Sequence, residues 1–227
     1  APPTHPDLLD WLAVDFRESG WSQKALIKNI LTSKTYQQDS KVTSKKIERD
    51  PNNRLLARGP RFRTEAEVLR DIALAASGLL TQGVGGPSIF PPVPESVIKQ
   101  NYVVPDYWYP AEDENRYRRS LYMFKKRSMP DPVLTSFDAP NADESCTGRI
   151  RSNTPLSALT SLNETIFVEA SQGLAQRILR EGGQSNEERA NYGYLLTTGR
   201  PANSFERKEI TNLIESQNER LSEGWLD

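Results

Sequence analysis

The most restrictive feature of this sequence is where its helix breakers fall. Sixteen prolines and thirteen glycines are present. They crowd between Gly83 and Pro110 and again between Pro130 and Pro155. A proline inside a helix removes a backbone hydrogen bond and clashes with the preceding turn, and a glycine there carries a high entropic cost. Neither stretch can be helical throughout. Outside them, apolar residues recur at three- and four-residue spacing, the period of an amphipathic helix. The expectation is a mainly α, irregular helical domain with long ordered Pro/Gly-rich loops and at most a few short strands. It spans 1–227 as a single mostly helical domain, with a possible C-terminal helical subdomain over 154–227.

The helical blocks carry start signals. "THPDLLDWLAVDFRES" offers Thr4 as an N-cap, Pro6 in the first turn and a stripe of Leu8, Leu9, Trp11, Leu12 and Phe16. Gly20 ends that block. Ser22 caps the next, whose buried face is predicted to be Leu26, Ile27, Ile30 and Leu31. Two helices joined so tightly form a hairpin. A third helix is predicted from Thr64, with Glu67 as capping-box partner, to about Leu80. A long helical region follows Pro155, broken near Asn163 and stopped by Gly182 and Gly183. Ser185 with Glu188, and Asn203 with Glu206, mark two more starts. Thr154 with Pro155 begins the long region, and the spacing points Leu156, Leu159 and Leu162 inward.

Between these blocks, "DSKVTSKKIERDPNN" reads as an exposed polar connection. The Gly83–Pro110 stretch is too apolar for simple disorder, and Phe90, Tyr102, Tyr107, Trp108 and Tyr109 are expected to pack on the helices. "RYRRSLYMFKKR" alternates loosely, as a short strand or extended segment does.

Charge is balanced, 29 Lys and Arg against 30 Asp and Glu. Nothing global favours nucleic acid or an anionic membrane. No apolar run approaches the roughly 20 residues of a membrane span. The single histidine, His5, lies in a helix cap, and the single cysteine is Cys146. No disulfide can form within the chain, and a Cys-His zinc site would need carboxylates to complete it. Histidine-based nucleophilic catalysis would have to use His5. No metal site is expected, because Asp138, Asp143 and Glu144 lack the ordered spacing of a calcium loop. "GVGGP" lacks the Lys-Ser/Thr of a phosphate loop and reads as a turn.

The best polar constellation is arginine: Arg58, Arg61 and Arg63, then Arg116, Arg118 and Arg119, then Arg149 and Arg151. Converging guanidinium groups hold anions or carboxylates through paired hydrogen bonds. Ordinary salt bridges with Asp138, Asp143, Glu144 and the Glu112–Glu114 acids are the simpler use. The helix start at Thr154 lies beside Asp138, Cys146, Arg149 and Arg151, and a helix N-terminus can hold an anion.

Five stretches occur in order: "THPDLLDWLAVDFRESGWSQKALIKNILTSKTYQQ", "DPNNRLLARGPRFRTEAEVLRDIALAASGLL", "GGPS", "RRSLYMFKKR" and "FDAPNADESCTGRIRSNTPLSALTSLNETIFVEAS". Together they resemble the planctomycete-type PSD domain of unknown function, found at the C-terminal end of large secreted proteins. The arginines of "RGPRFR" and "RRSLY", the "FDAP" turn, Cys146, Arg149 and "NTP" fall on the family pattern. The resemblance implies export to the periplasm or cell surface, but no assigned activity. Family members commonly follow another domain of unknown function, often with a cytochrome-c-like domain further upstream. By that resemblance the chain starts inside the family domain, as a piece of a longer polypeptide. Ser157 stands where members often have glutamine. The haem-attachment pattern Cys-x-x-Cys-His is absent, so no cofactor is expected in this chain, and the resemblance leaves haem possible only in an upstream domain of the full-length protein.

The function expected from these readings is a non-catalytic structural or binding module. Its partners would be upstream domains or another chain, with an anionic or glycan ligand possible at Arg58, Arg61, Arg63, Arg118, Arg119, Asp138, Arg149 and Arg151. The alternatives are part of an enzyme acting on a polysaccharide or other extracellular substrate, using Asp138 and Arg149, and a docking module for a haem electron-transfer domain.

Overall fold

A computed structural model describes residues 2–99 and 108–224. Tyr102 and Tyr107 lie outside the described residues. The chain packs as two compact units, Ala1–Phe62 and Arg63–Asp227.

In the first unit, α1 spans Pro6–Glu18, α2 Gln23–Thr32 and α3 Ser44–Arg49. The cap of α1 is His5 rather than Thr4. The Thr4 hydroxyl lies 2.9 Å from His5 Nδ1, and no side chain caps the helix. Gly20 and Trp21 both have positive φ, which turns the chain sharply. The Trp21 ring meets Phe16 edge to face at 5.3 Å. Ser22 then caps α2 by accepting from the Ala25 N–H. The predicted hairpin forms, tied by Asn29 Nδ2 donating to Asp15 Oδ2 at 3.0 Å. The predicted burial does not. Neither α1 nor α2 contains a buried residue, and Ile27, Ile30 and Leu31 are exposed. The segment read as a bare connection contains α3, capped by Thr43. Beyond it, Asp50 accepts from the Arg54 and Leu55 N–H groups and closes a tight loop.

The second unit is built on α4, Ala66–Ser77, packed against α8, Thr165–Glu181. Glu65 rather than Thr64 is the cap residue, and Gly78 in the left-handed region ends α4 at φ +80°. Gly173 of α8 lets the helices close up. A Cβ there would lie 3.1 Å from Leu79 Cγ and 3.3 Å from Ser77 Cβ. The region after Pro155 breaks as predicted. α7, Pro155–Asn163, ends at Glu164, whose extended ψ of 137° interrupts the helix before α8. α9, Asn186–Thr198, and α10, Ser204–Ser222, begin at the predicted capping boxes. The short helices α5, Glu95–Lys99, and α6, Pro132–Ser136, lie within the Pro/Gly-rich stretches.

The segment read as extended forms two 3-10 turns, Glu114–Tyr117 and Ser120–Tyr122. It pairs through isolated parallel bridges, Thr81 with Arg118 and Ile89 with Met123. Among the described residues the unit is α-helical with no sheet, as expected. Its core joins Leu74, Ile89, Met123, Leu134, Phe137, Ile166 and Phe167. Phe90, Trp108 and Phe124 cluster beside one another, and Trp108 Nε1 donates to Pro91 O.

One orientation is reversed. Leu156, Leu159 and Leu162 of α7 point outward, and Ser157 is buried instead. The capping box makes that burial tolerable: Ser157 Oγ accepts from the Thr154 N–H while donating to Thr154 O, so its polar atom is satisfied without water.

Candidate functional site

All but one of the arginines of the predicted constellation can be followed to their partners. In the first unit, Arg58 donates to Asp50 O and Pro51 O, and its own carbonyl accepts from Asn53. Arg61 is exposed. These two lie in the first unit, and the other arginines belong to the second.

Arg63 is the hub of a joint. Its guanidinium donates to Ser152 O at 2.8 Å, Thr64 O at 3.1 Å and Phe137 O at 3.1 Å, and to Asp138 Oδ2 at 2.5 Å. Asp138 also accepts from the Ser152 N–H at 2.7 Å and the Ser152 hydroxyl at 2.9 Å. The Ser152 hydrogen bonds, with Arg63 behind them, hold the Asp138 carboxyl below its ordinary value. Asp138 sits at φ +60°, a conformation most residues avoid. The joint therefore ties the entry to α4, the end of α6 and the approach to α7.

Arg149 and Arg151 lie beside that joint. Arg149 donates to Glu65 Oε2 at 3.0 Å and Glu67 Oε2 at 2.7 Å. Arg151 donates to Glu65 Oε1 at 3.2 Å, and Lys125 reaches the other oxygen of Glu67. Two acids at the start of α4, where the helix dipole favours negative charge, thus gather three cations. The hydrogen bond with Glu67 raises the Arg149 pKa further. Thr154 and Ser157 occupy each other's hydrogen-bonding groups at the start of α7, and Pro155 has no N–H to offer an anion.

Arg118 is buried and explains the glycines of "GVGGP". Its guanidinium donates to Pro87 O and Gly85 O and stacks over the Tyr122 ring at 3.9 Å. Tyr122 Oη in turn accepts from the Gly85 N–H. Gly85 and Gly86 have φ of +78° and +83°, conformations that glycine adopts without strain. The loop presents carbonyls to a cation of the same chain, the opposite polarity to a phosphate loop. Arg119 pairs with Asp71, whose other oxygen accepts from the Ser120 N–H. Arg116 pairs with Glu169 of α8.

Several polar groups escaped the sequence reading. Arg70, on the buried face of α4, donates to Arg118 O at 2.7 Å and Arg116 O at 2.8 Å. Burial pushes the Asp131 carboxyl up, against the hydrogen bond from Leu134 and the charge of Arg70. A cavity of about 20 Å³, room for one water, lies between Arg70, Asp131 and Glu164. Two tyrosine clamps flank α9. Tyr192 and Arg177 share Glu181, while Tyr194 and Arg200 share Glu206. Alternating Tyr192 and Tyr194 in the sequence carries no signal of the shared acids, which sit on α8 and α10.

Cys146 is exposed, with Sγ donating to Gly148 O at 3.4 Å. Among the described residues no three His, Cys, Asp or Glu side chains converge as metal ligands, and no helix is long and apolar enough to cross a membrane. A groove of about 800 Å³ lies in the first unit, lined by α1, α2 and the residues just after α2. A second, of about 240 Å³, lies among α4, α8 and α9 and is lined mainly by Leu69, Ile72, Phe167 and Leu174.

A family model described as PSD1, Protein of unknown function (DUF1553), matches residues 1–214. No curated protein and no solved structure gives a significant match.

Proposed function

The chain belongs to the PSD1 family of proteins of unknown function, and on that premise we propose that it is a non-catalytic structural or binding module of an exported multidomain protein. It packs against neighbouring domains or a partner chain through apolar surface. The observation that carries this reading is the α1–α2 hairpin, much of whose apolar surface is exposed. Trp11 is 57% exposed and Trp21 67%. Exposed apolar surface of this extent marks an interaction site. The polar constellation supports the same reading. Asp138, one of the acids expected to serve an enzyme, accepts from Arg63 and from both donors of Ser152. Arg149 is held between two glutamates.

The test joins this chain to its adjoining domains. Trp11 and Trp21 should then emit at shorter wavelength than in the chain alone, and panels of glycans and esters should show no turnover. Unchanged tryptophan emission, together with turnover abolished by Asp138→Asn, would overturn the reading in favour of an enzyme.

A further inference from the structure

We infer that Asp131 is a proton-operated latch on the joint between α4, α6 and the start of α8: with a proton on its carboxyl the joint closes, and without it the joint loosens.

The geometry places three ionisable groups from three elements around one small space. Asp131 caps α6, its Oδ1 accepting from the Leu134 N–H at 2.8 Å. Val133 and Leu134, just behind the cap, are buried in the core of the second unit. Beside Asp131 lies the cavity of about 20 Å³, reached by Arg70 from α4 and by Glu164 from the break between α7 and α8. Pro91 and Pro92 line another side of it and bring no charge. Asp131 is thus both the anchor of α6 and a wall of the space that α6 shares with α4 and α8.

The charges around that space do not balance while both acids are ionised. Arg70 is only 2% exposed and is the cation of the cavity. Its guanidinium donates to Arg118 O, Arg116 O and the Ser120 hydroxyl, all neutral acceptors. The neighbouring charges have other partners: Arg116 pairs with Glu169, and Asp71 with Arg119. Lys125 and Lys126 line a separate cavity on the other side of Asp131, and Lys125 is paired with Glu67. Arg70 and Glu164 are therefore the charges that Asp131 meets most strongly, one of each sign. Two carboxylates face one guanidinium, and a half-buried carboxylate without a partner of its own is costly. A proton on Asp131 leaves one carboxylate against one guanidinium. It also supplies an O–H that can donate into the cavity, where there is room for one water to carry the hydrogen bond onward.

The sign of the effect follows. Burial pushes the Asp131 carboxyl up, and the like charge of Glu164 adds to it. A raised carboxyl contributes stability that is fully present below its unfolded value of about 3.9 and is lost as pH rises through its folded value. Glu206, whose carboxyl is lowered, acts in the opposite direction.

The test uses the whole chain with labelled aspartate carboxyl carbons, followed by nuclear magnetic resonance. The Asp131 signal should titrate with a midpoint above about 3.9, and Glu164→Gln should lower that midpoint by removing the like charge. Asp131→Asn keeps the size and the capping oxygen but cannot ionise. At neutral pH it should unfold at a higher urea concentration than the unaltered chain, and the difference should shrink as pH falls. Protection of the α6 amides against hydrogen exchange, taken relative to Asp131→Asn, should rise on acidification. An Asp131 midpoint at or below about 3.9 overturns the latch. So does an Asp131→Asn chain less stable than the unaltered one at neutral pH, a midpoint indifferent to Glu164→Gln, or a relative α6 protection that stays constant with pH. The packing role proposed above is read by tryptophan emission and stands or falls separately.

Discussion

Leu74 on α4 has no exposed surface, while Trp11 on α1 keeps more than half of its own. Both lie on amphipathic helices of similar length. The difference lies in what each helix meets. α4 is covered by α8, and by loops pinned through Arg63, Arg70 and Arg118. α1 meets α2, and their remaining apolar faces stay open. Residues 63–227 thus spend their arginines on fixing long loops over a core. The described residues up to 62 form short helices, two of them with side-chain caps, and bury only Asp50. Helix signals are local, and burial is not, so a chain can satisfy the first without the second.

The sharpest way to break this contrast is a pair of leucine truncations. Leu74→Ala should cost about 2–5 kcal/mol in urea unfolding, the range for a fully buried leucine. Leu9→Ala should cost less than about 1 kcal/mol, since its side chain already faces water. Similar losses at both sites would mean that α1 is covered in the folded chain.

A smaller effect separates arginines that hold loops from arginines that do not. Arg118→Met leaves the Gly85 and Pro87 carbonyls without their donor and should cost about 1–3 kcal/mol. Hydrogen exchange over residues 83–87 should quicken with it. Arg61→Met, at an exposed position, should change neither. An equally harmless Arg118→Met would remove the role assigned to the glycine loop.

Acid should act on the second unit through its clamps. Arg200, then Tyr194, lowers the Glu206 carboxyl to about 2, below its unfolded value near 4.3. A depressed carboxylate stabilises the fold above its unfolded pKa, and that contribution is lost as pH falls from about 4.3 towards about 2. Unfolding midpoints measured across that window should fall less steeply in Glu206→Gln than in the unaltered chain. Identical slopes would mean that the clamp carries no acid sensitivity. The smallest effect is expected at Cys146. Its exposed thiol should react fully with a thiol reagent in the native state, and Cys146→Ser should leave the midpoint within about 0.5 kcal/mol. A thiol that reacts only after unfolding would contradict its position in the loop.

How much of this could be read in advance followed the range of each interaction. Ser22, Thr154, Ser185 and Asn203 cap helices within three residues of themselves, and short-range spacing finds such caps. The break near Asn163 and the α1–α2 hairpin are local in the same way. Arg118 reaches carbonyls more than thirty residues away, and Arg63 reaches Asp138 across 75 positions. No periodicity connects such pairs. The leucines of α7 show a further limit. Spacing identifies a face, but the inward face of α7 is the one that carries Ser157. The same limit applies to α1 and α2, where an apolar stripe marked a surface to be covered without saying by what.

Native-state hydrogen exchange of the whole chain tests the central claim most directly. Opening free energies follow local burial, so amides of α4 and α8 should exchange slowly, at the rate set by global unfolding. Amides of α1 and α2 should exchange far faster. Equal protection of all four helices in the chain alone would contradict the account.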